Sequence, residues 1–140
     1  MKKKRKLLWK FCALTAVLSA YPLFVLAFTW SHVLSSDLKG GRHGQLDAYR
    51  HALASATVSH TLGEWAVDLV TGVFEWDDKD SNKMDRHNNK IGAGIGSGVE
   101  SFREIEPAVL QSVRKGAVNA IDINQITWLP ADKWREGSLW

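Results

Sequence analysis

A run of twenty uncharged residues near the N-terminus constrains this chain more than any other feature. Residues 11–30 read FCALTAVLSAYPLFVLAFTW, and about 20 apolar residues form a helix long enough to cross a bilayer. The basic block KKKRKLLWK precedes the run at residues 2–10, and such a block favours a cytoplasmic N-terminus. We therefore predict a basic cytoplasmic segment at 1–10, a transmembrane anchor or signal segment at 11–30, and an exported remainder.

The anchor and the cleaved signal peptide are alternatives for the same residues. Val25-Leu26-Ala27 is an acceptable cleavage site after a basic start, but the run is longer than the usual apolar part of a signal peptide. An anchor gives a single-pass protein of the bacterial inner membrane, with its domain in the periplasm or outside. A cleaved signal gives a secreted domain. Membrane lipid is the partner expected for the N-terminal segment.

The charge distribution argues against a nucleic-acid partner. Six of the 18 Lys and Arg residues lie in residues 2–10, whereas all 15 acidic residues lie beyond residue 30. The exported part thus has 12 basic and 15 acidic residues, a formal charge of −3. Binding to nucleic acid would require a basic face on the domain itself. The one cysteine, Cys12, lies in the apolar run, so the exported domain has neither a disulfide nor a thiol nucleophile.

Apolar spacing beyond the polar linker at 31–44 predicts an all-α domain at 45–140. Leu46, Tyr49, Leu53 and Ala56 recur at helical spacing, which predicts a helix over 45–62. Three more helices are predicted downstream: one with an apolar stripe from Leu62 to Phe74, one from Lys90 to Phe102, and one from Pro107 to Arg114. The expected fold is an N-terminal transmembrane helix followed by a small bundle of about four helices.

The C-terminal part of the sequence is less regular. AIDINQITW at 120–128 alternates apolar and polar residues and predicts a short strand, although no partner strand is evident. The tail LPADKWREGSLW contains two of the seven Trp residues. Two interpretations of these tryptophans remain: they contact the membrane interface, or they cover a small core.

The segment DAYRH at 47–51 contains, within five residues, several residue types that are common in catalytic sites. Asp47 and His51 are four residues apart and therefore share one face of the predicted helix. A hydrogen bond from the His51 ring N–H to the Asp47 carboxylate would set the tautomer of His51 and prepare the imidazole as a general base. Arg50 would then bind an anion or stabilise developing negative charge. The structural alternative is a simple Asp–His pair on a helix surface.

A second polar cluster, MDRHNNKIG, begins at Met84 and precedes a glycine-rich stretch. Asp85 is a candidate N-cap for the following helix, and the Asn side chains are candidates for capping or for bonds to the first helix. Gly92 and Gly96 are four residues apart, and so are Gly94 and Gly98, which favours close packing of these glycines against the Ala and Ser face of the 45–62 helix. Such packing would join the two clusters into one site, whose candidate residues are Asp47, Arg50, His51, Asp85, Asn88 and Asn89.

The two motifs together resemble a bacterial domain of unknown function. Members of that family carry D-A-[FY]-R-H on one helix and M-D-x-x-N-N-x-x-G further on, in small exported proteins and at the C-termini of toxin-like polypeptides. Residues 47–51 match the first motif, and Met84, Asp85, Asn88, Asn89 and Gly92 match the second. Relatives often have A-H-E between the motifs, where this chain has FEWDDKD without the histidine. The resemblance implies that the two clusters form one site, but it implies no activity.

A calcium site of the EF-hand type is not supported by the sequence. Asp78, Asp80 and Asn82 match the first, third and fifth ligand positions, but Lys83 replaces the glycine of the turn and Asn89 replaces the bidentate Glu. These three residues remain weak metal candidates. We predict no cofactor, and a divalent ion stays open.

Two hypotheses follow for function. The first is a membrane-anchored, envelope-facing protein with an interaction or structural role, in which the polar residues form an internal network. The alternative is an envelope-directed hydrolase of lipid or peptidoglycan that uses an Asp-Arg-His site. The sequence identifies neither a protein partner nor an envelope substrate.

Overall fold

The computed structural model describes residues 2–74, 80–135 and 137, and this part of the chain is mainly helical. Its α-helices are α1 (Lys2–Ser35), α2 (Gln45–Leu62), α3 (Glu64–Phe74), α4 (Asp80–Gly98) and α5 (Ile105–Arg114). Two short strands follow, β1 (Ala117–Val118) and β2 (Thr127–Trp128). The predicted fold class, a long N-terminal helix followed by a small helical bundle, is confirmed.

Helix α1 has two parts with different surroundings. Its first half presents exposed apolar side chains, such as Leu8, Phe11 and Leu14. Its second half packs against the bundle, because Val25, Thr29 and Val33 are each at most 9% exposed. The helix continues past residue 30 to Ser35, into the stretch where the sequence suggests a linker. The second half of the apolar run therefore contributes to the core of the domain.

Helix α2 lies at the centre of the bundle and contacts each of the other four helices. Its buried face consists mainly of small side chains together with Tyr49 and Leu53, which are fully buried. The helix ends where the sequence predicts, at Leu62. Gly63 follows with φ +97, a conformation that favours glycine, and its N–H bonds to Ser59 O at 2.8 Å.

Helices α2 and α4 pack at close distance through two glycines. A Cβ atom added at Gly92 would overlap the carbonyl oxygen of Ala52, and one added at Gly96 would overlap that of Ala56. Gly94 and Gly98 have no such neighbours. The predicted close packing is confirmed for Gly92 and Gly96 and is wrong for Gly94 and Gly98, which lie on another side of α4. The packing of the first pair brings the two polar motifs onto facing helices.

The start of α4 differs from the sequence prediction. The motif MDRHNN is not a turn before a helix but lies within α4, which begins at Asp80. Asp85 therefore sits in the helix and is not its N-cap. Asn88 and Asn89, which often compete with helical backbone bonds, instead bond to other elements. These tertiary bonds explain why a sequence rich in turn-forming residues is helical here.

Helix α3 forms as predicted, but most of its apolar stripe faces outward. Ala66 and Val67 are buried, whereas Trp65, Leu69 and Val70 are at least half exposed. Together with Leu62, which is also exposed, these three side chains make up what we call the α3 apolar face. The side chains of Val73 and Phe74 lie outside the described set.

The C-terminal segment closes the end of the bundle near the start of α2. The predicted strand at 120–128 is reduced to β2, which pairs in parallel with β1. The ring of Trp134 packs on Gly40 and Gly44, and its Nε1 donates to Leu129 O at 2.6 Å. This tryptophan therefore acts as a lid, and Trp140 lies outside the described residues.

Replacing Tyr49 by Phe tests one buried bond of this core. The Tyr49 hydroxyl donates to Glu106 Oε1 at 2.8 Å, and we expect its loss to cost about 1–2 kcal/mol of unfolding free energy. Burial, with the Glu106 carboxylate adding to it, raises the pKa of Tyr49 well above its usual range. The unfolded chain ionises first, so wild-type stability should fall as the pH rises above about 10.

Denaturant titrations of wild type and Tyr49→Phe at neutral pH and near pH 11 give this comparison. The difference between the two proteins should shrink at the higher pH, because the Phe variant has no hydroxyl to ionise. A difference that stays constant with pH would contradict the burial of this hydroxyl.

Candidate functional site

The packing of α2 on α4 places Arg50, His51 and Asp85 next to one another. Nε2 of His51 lies 3.6 Å from Asp85 Oδ2 and 3.7 Å from Asp47 Oδ1. The side chains of His51, Arg50 and Asp85 are 23%, 19% and 14% exposed, whereas that of Asp47 is 3% exposed. We call these four residues the polar cluster. It unites the two motifs, and three of its members are accessible from outside.

Arg50 lies between the members of this cluster. Its NH2 group is 2.5 Å from Asp47 Oδ1 and 3.0 Å from His51 Nε2. A guanidinium group only donates hydrogen bonds, so this contact makes Nε2 the acceptor and places the ring proton on Nδ1. The predicted hydrogen bond between His51 and Asp47 does not form, because His51 Nε2 and Asp47 Oδ1 are 3.7 Å apart. Asp47 thus orients Arg50 more directly than it orients His51.

Asp47 is held in place by the loop before α2. Its Oδ2 accepts the backbone N–H of His43 at 2.7 Å, which directs Oδ1 towards Arg50. His43 adopts φ +72 and is itself buried, so the loop and the carboxylate fix each other. The acid of DAYRH is therefore both a local cap and a member of the cluster.

The side chains of Asn88 and Asn89 differ from the polar cluster because they are buried and bonded to other elements of the fold. Asn88 is fully buried and bonds in both directions to Thr127, with Nδ2 donating to its carbonyl at 2.8 Å and Oδ1 accepting its N–H at 3.0 Å. Asn89 accepts the Ser55 hydroxyl at 3.0 Å. In the same motif His87 Nε2 donates to Gln125 O at 2.8 Å. These contacts attach α4 to β2 and α2.

An open cavity of about 310 Å³ adjoins the polar cluster. Its apolar wall is supplied by α1, α2 and α3, and its polar side chains include His51, Ser55 and Asn89. We call it the groove; its apolar lining residues are Val25, Ala54, Val58, Val67 and Val70. Ligand pockets in proteins are apolar cavities of about 300–1,000 Å³ with a few polar groups. The groove lies at the lower end of that range.

The sequence alone does not reveal the groove. Val25 belongs to a run that satisfies the length and composition of a membrane span, and Val67 and Val70 belong to a helix stripe that predicts core packing. The sequence contains one indication that α1 packs on the domain. Val25, Thr29 and Val33 are spaced four residues apart, so these buried positions lie on one face of α1.

Asp47, His51 and Asp85 also form the group of potential metal ligands within the described residues. The weak calcium candidates are arranged differently. Asp80 and Asn82 lie in the first turn of α4, so no EF-hand loop is formed there, and Asp78 lies outside the described residues.

A comparison with protein families identifies the chain. The model of a domain of unknown function, DUF6973, matches residues 11–120. The chain belongs to this family. The DUF6973 match includes both polar motifs and the whole groove, and it begins within α1, so most of that helix is part of the family domain. It ends before β2, the strand that Asn88 contacts. No curated protein and no solved structure matches the chain.

Proposed function

We propose that this DUF6973 protein is attached to the bacterial inner membrane and binds an amphipathic ligand in the groove. The ligand's apolar part would lie among the valines of α1, α2 and α3, and its polar head group would contact Arg50 and His51. The observation that carries the proposal is the groove itself, an apolar cavity whose lining includes the His51 imidazole, with the Arg50 guanidinium 3.0 Å from that imidazole. An interaction role and a catalytic role are both compatible with this occupant.

Membrane attachment is supported by α1. By length and composition, Lys4–Ser35 could cross a membrane, and its 32 residues correspond to about 48 Å of helix at about 1.5 Å per residue. The hydrocarbon core takes about 30 Å of that. Because α1 packs on the domain from Tyr21 onward, within the apolar run, the domain would lie against the bilayer and reach into its interfacial region. The basic residues before the apolar run favour a cytoplasmic N-terminus and a domain on the periplasmic side.

The same geometry supports a domain that lies directly on the bilayer. The Tyr21 hydroxyl is hydrogen-bonded to that of Thr61, near the end of α2, and Trp30 contacts Arg50, near its start. Helices α1 and α2 are therefore antiparallel, and the end of α2 is the membrane-proximal one. The α3 apolar face begins at that end. We propose that it contacts lipid, with Trp65 at the interface.

Retention of the whole N-terminal segment is the first test. Cleavage after Ala27 would remove Val25 and the aromatic side chain of Phe24, which packs on Phe102 with ring centroids 5.9 Å apart. We therefore expect the intact mass of the protein purified from membranes to include residues 1–27. A mature chain that starts at Phe28 would contradict the anchor and would favour the secreted form.

Ligand binding is the second test, with the full-length protein in detergent and a fluorescent lysophospholipid as the probe. Ala54→Trp would fill the groove, and Arg50→Gln would remove the cation beside it. Both variants should bind the probe at least about tenfold more weakly, the loss expected for about 1.4 kcal/mol. Ala108→Trp, on α5 and away from the groove, is the matched control. Equal binding by wild type and Ala54→Trp would exclude the groove as the binding site.

Hydrolysis of the ligand is the second candidate function, favoured by the acceptor state of His51 Nε2. In the bound complex Arg50 would turn from His51 to the carbonyl oxygen of an ester, which frees Nε2. A water oxygen would attack the carbonyl carbon while Nε2 takes the water proton. Arg50 would stabilise the oxyanion, after which the carbon–oxygen bond breaks and the leaving alkoxide receives the proton from His51. Envelope lipids and peptidoglycan are the substrate classes to screen. His51→Ala should abolish turnover even at saturating probe, although it also weakens probe binding through the lost head-group contact. Undiminished turnover would exclude this mechanism.

A purely structural role is the remaining alternative for the polar residues. Asn88 and Asn89 behave in this way, because their bonds join α4 to other elements. The polar cluster differs from them in its partial exposure and in its position beside the groove.

A further inference from the structure

We infer that Asp47, His51 and Asp85 bind one divalent transition-metal ion of the Mn²⁺ or Zn²⁺ class. Each residue offers one ligand atom, and the three atoms lie within 4.8 Å of one another. The two distances from Nε2, 3.6 and 3.7 Å, are too long for hydrogen bonds. Ligands on one metal ion with bonds of about 2.1 Å are about 3.0–3.5 Å apart. The two distances from Nε2 would have to contract by a few tenths of an ångström, and the two carboxylate oxygens, which are at most 4.8 Å apart, would close by rotation of the Asp85 side chain.

The supports of these three ligands are rigid. Asp47 is fixed by the His43 N–H at 2.7 Å, the kind of outer contact that orients a metal-binding carboxylate. Asp85 lies on α4, whose distance from α2 is set by the contacts of Gly92 and Gly96. The site therefore does not depend on the ion to bring its two helices together.

The position of Arg50 shows that a positive charge is stable between the ligand atoms of Asp47 and His51. Its NH2 group is 2.5 Å from Asp47 and 3.0 Å from His51, so it stands between two of the three ligand atoms. A metal ion would have to displace it. The ring of Trp30 already lies 5.9 Å from the guanidinium carbon, and this contact would remain for the cation after it leaves the ligand atoms. Metal ion and guanidinium should therefore compete.

The ligand set determines the class of ion. Two carboxylates and one imidazole suit Mn²⁺ or Zn²⁺, whereas Ca²⁺ prefers six to eight oxygen ligands. Three protein ligands leave coordination positions open, and the partial exposure of His51 and Asp85 gives access to them. The inference rests on the proposed function in that an open position would face the ligand's head group.

Metal binding is best measured directly on the full-length protein in detergent, by Mn²⁺ electron paramagnetic resonance and by calorimetry with Zn²⁺. We expect one ion per chain, at least about tenfold weaker binding by Asp85→Asn and by His51→Ala, and tighter binding by Arg50→Met. Asp37→Asn is the matched control because Asp37 is exposed, with only an exposed partner in Arg114. It should bind the ion like wild type.

Three results would overturn the inference. The first is that wild type binds neither ion, and the second is that it prefers Ca²⁺. The third is binding that survives Asp85→Asn but is lost in the double variant Asp78→Asn/Asp80→Asn, which would move the ion to the start of α4. Probe binding measured in EDTA separates this inference from the proposed function. If the protein binds lysophospholipid but no metal ion, the metal site is refuted and ligand binding in the groove is not.

Discussion

Replacement of Gly92 or Gly96 by Ala is expected to prevent stable folding. At each position the added Cβ would overlap a backbone carbonyl oxygen of α2, which is hydrogen-bonded within a buried helix and has no room to move. The two helices would have to separate along the most extensive contact in the bundle. Overpacking usually costs about 1–3 kcal/mol, and contact with rigid backbone should exceed that range. Total stabilities of about 5–15 kcal/mol leave little margin for such a loss.

Gly94 provides the matched control on the same helix. A Cβ at Gly94 has no neighbour within 4 Å, so Gly94→Ala should stabilise the protein by about 0.5–1 kcal/mol through helix propensity alone. Thermal unfolding of the three variants in detergent, followed by circular dichroism, makes the comparison. If Gly92→Ala melted at or above the wild-type temperature, the close packing of α2 on α4 would be refuted.

Loss of the Asn88 side chain has the second largest expected effect. Asn88→Ala removes the hydrogen-bond partners of both the backbone N–H and the carbonyl of Thr127. Both residues are buried, so water does not readily replace these bonds. Each unsatisfied buried group lowers the free energy of unfolding by about 1–3 kcal/mol, so we expect Asn88→Ala to lower it by about 2–4 kcal/mol. Asn88→Asp should be worse, because it buries a carboxylate against the Thr127 carbonyl oxygen.

Denaturant titration in detergent measures the effect of Asn88, and Asn124 supplies the control. Asn124 lies in the exposed loop between β1 and β2, so Asn124→Ala should stay within about 0.5 kcal/mol of wild type. A loss below about 1 kcal/mol for Asn88→Ala would show that water or relaxed backbone replaces both bonds.

The sequence predicts what depends on local spacing. The limits of α2, the packing of Gly92 and Gly96, and the meeting of the two motifs all follow from helical periodicity and small side chains. The start of α4 does not, because Asp85 and Asn88 are typical of turns and are held in helix by distant partners such as Thr127. Tertiary contacts of this kind override local preference.

The outward-facing stripe of α3 shows a second limit. Periodicity identifies an apolar face but not what covers it, so Trp65 and Leu69 are indistinguishable from core residues in the sequence. The division of α1 is hidden for the same reason, since Val25 packs on the domain while Leu8 is exposed in the same helix. Arg50 between Asp47 and His51 is a matter of rotamers, which spacing does not specify.

We propose that the polar cluster serves binding or catalysis, whereas the neighbouring asparagines stabilise the fold. The most direct measurement is the free energy of unfolding of His51→Ala beside that of Asn88→Ala, both in the full-length protein in detergent. His51 is partly exposed, and its side chain is hydrogen-bonded to Arg50, its neighbour in the same helix. The account predicts a loss below about 1 kcal/mol for His51→Ala and about 2–4 kcal/mol for Asn88→Ala. Equal, large losses in both variants would contradict it and would make DAYRH a structural element.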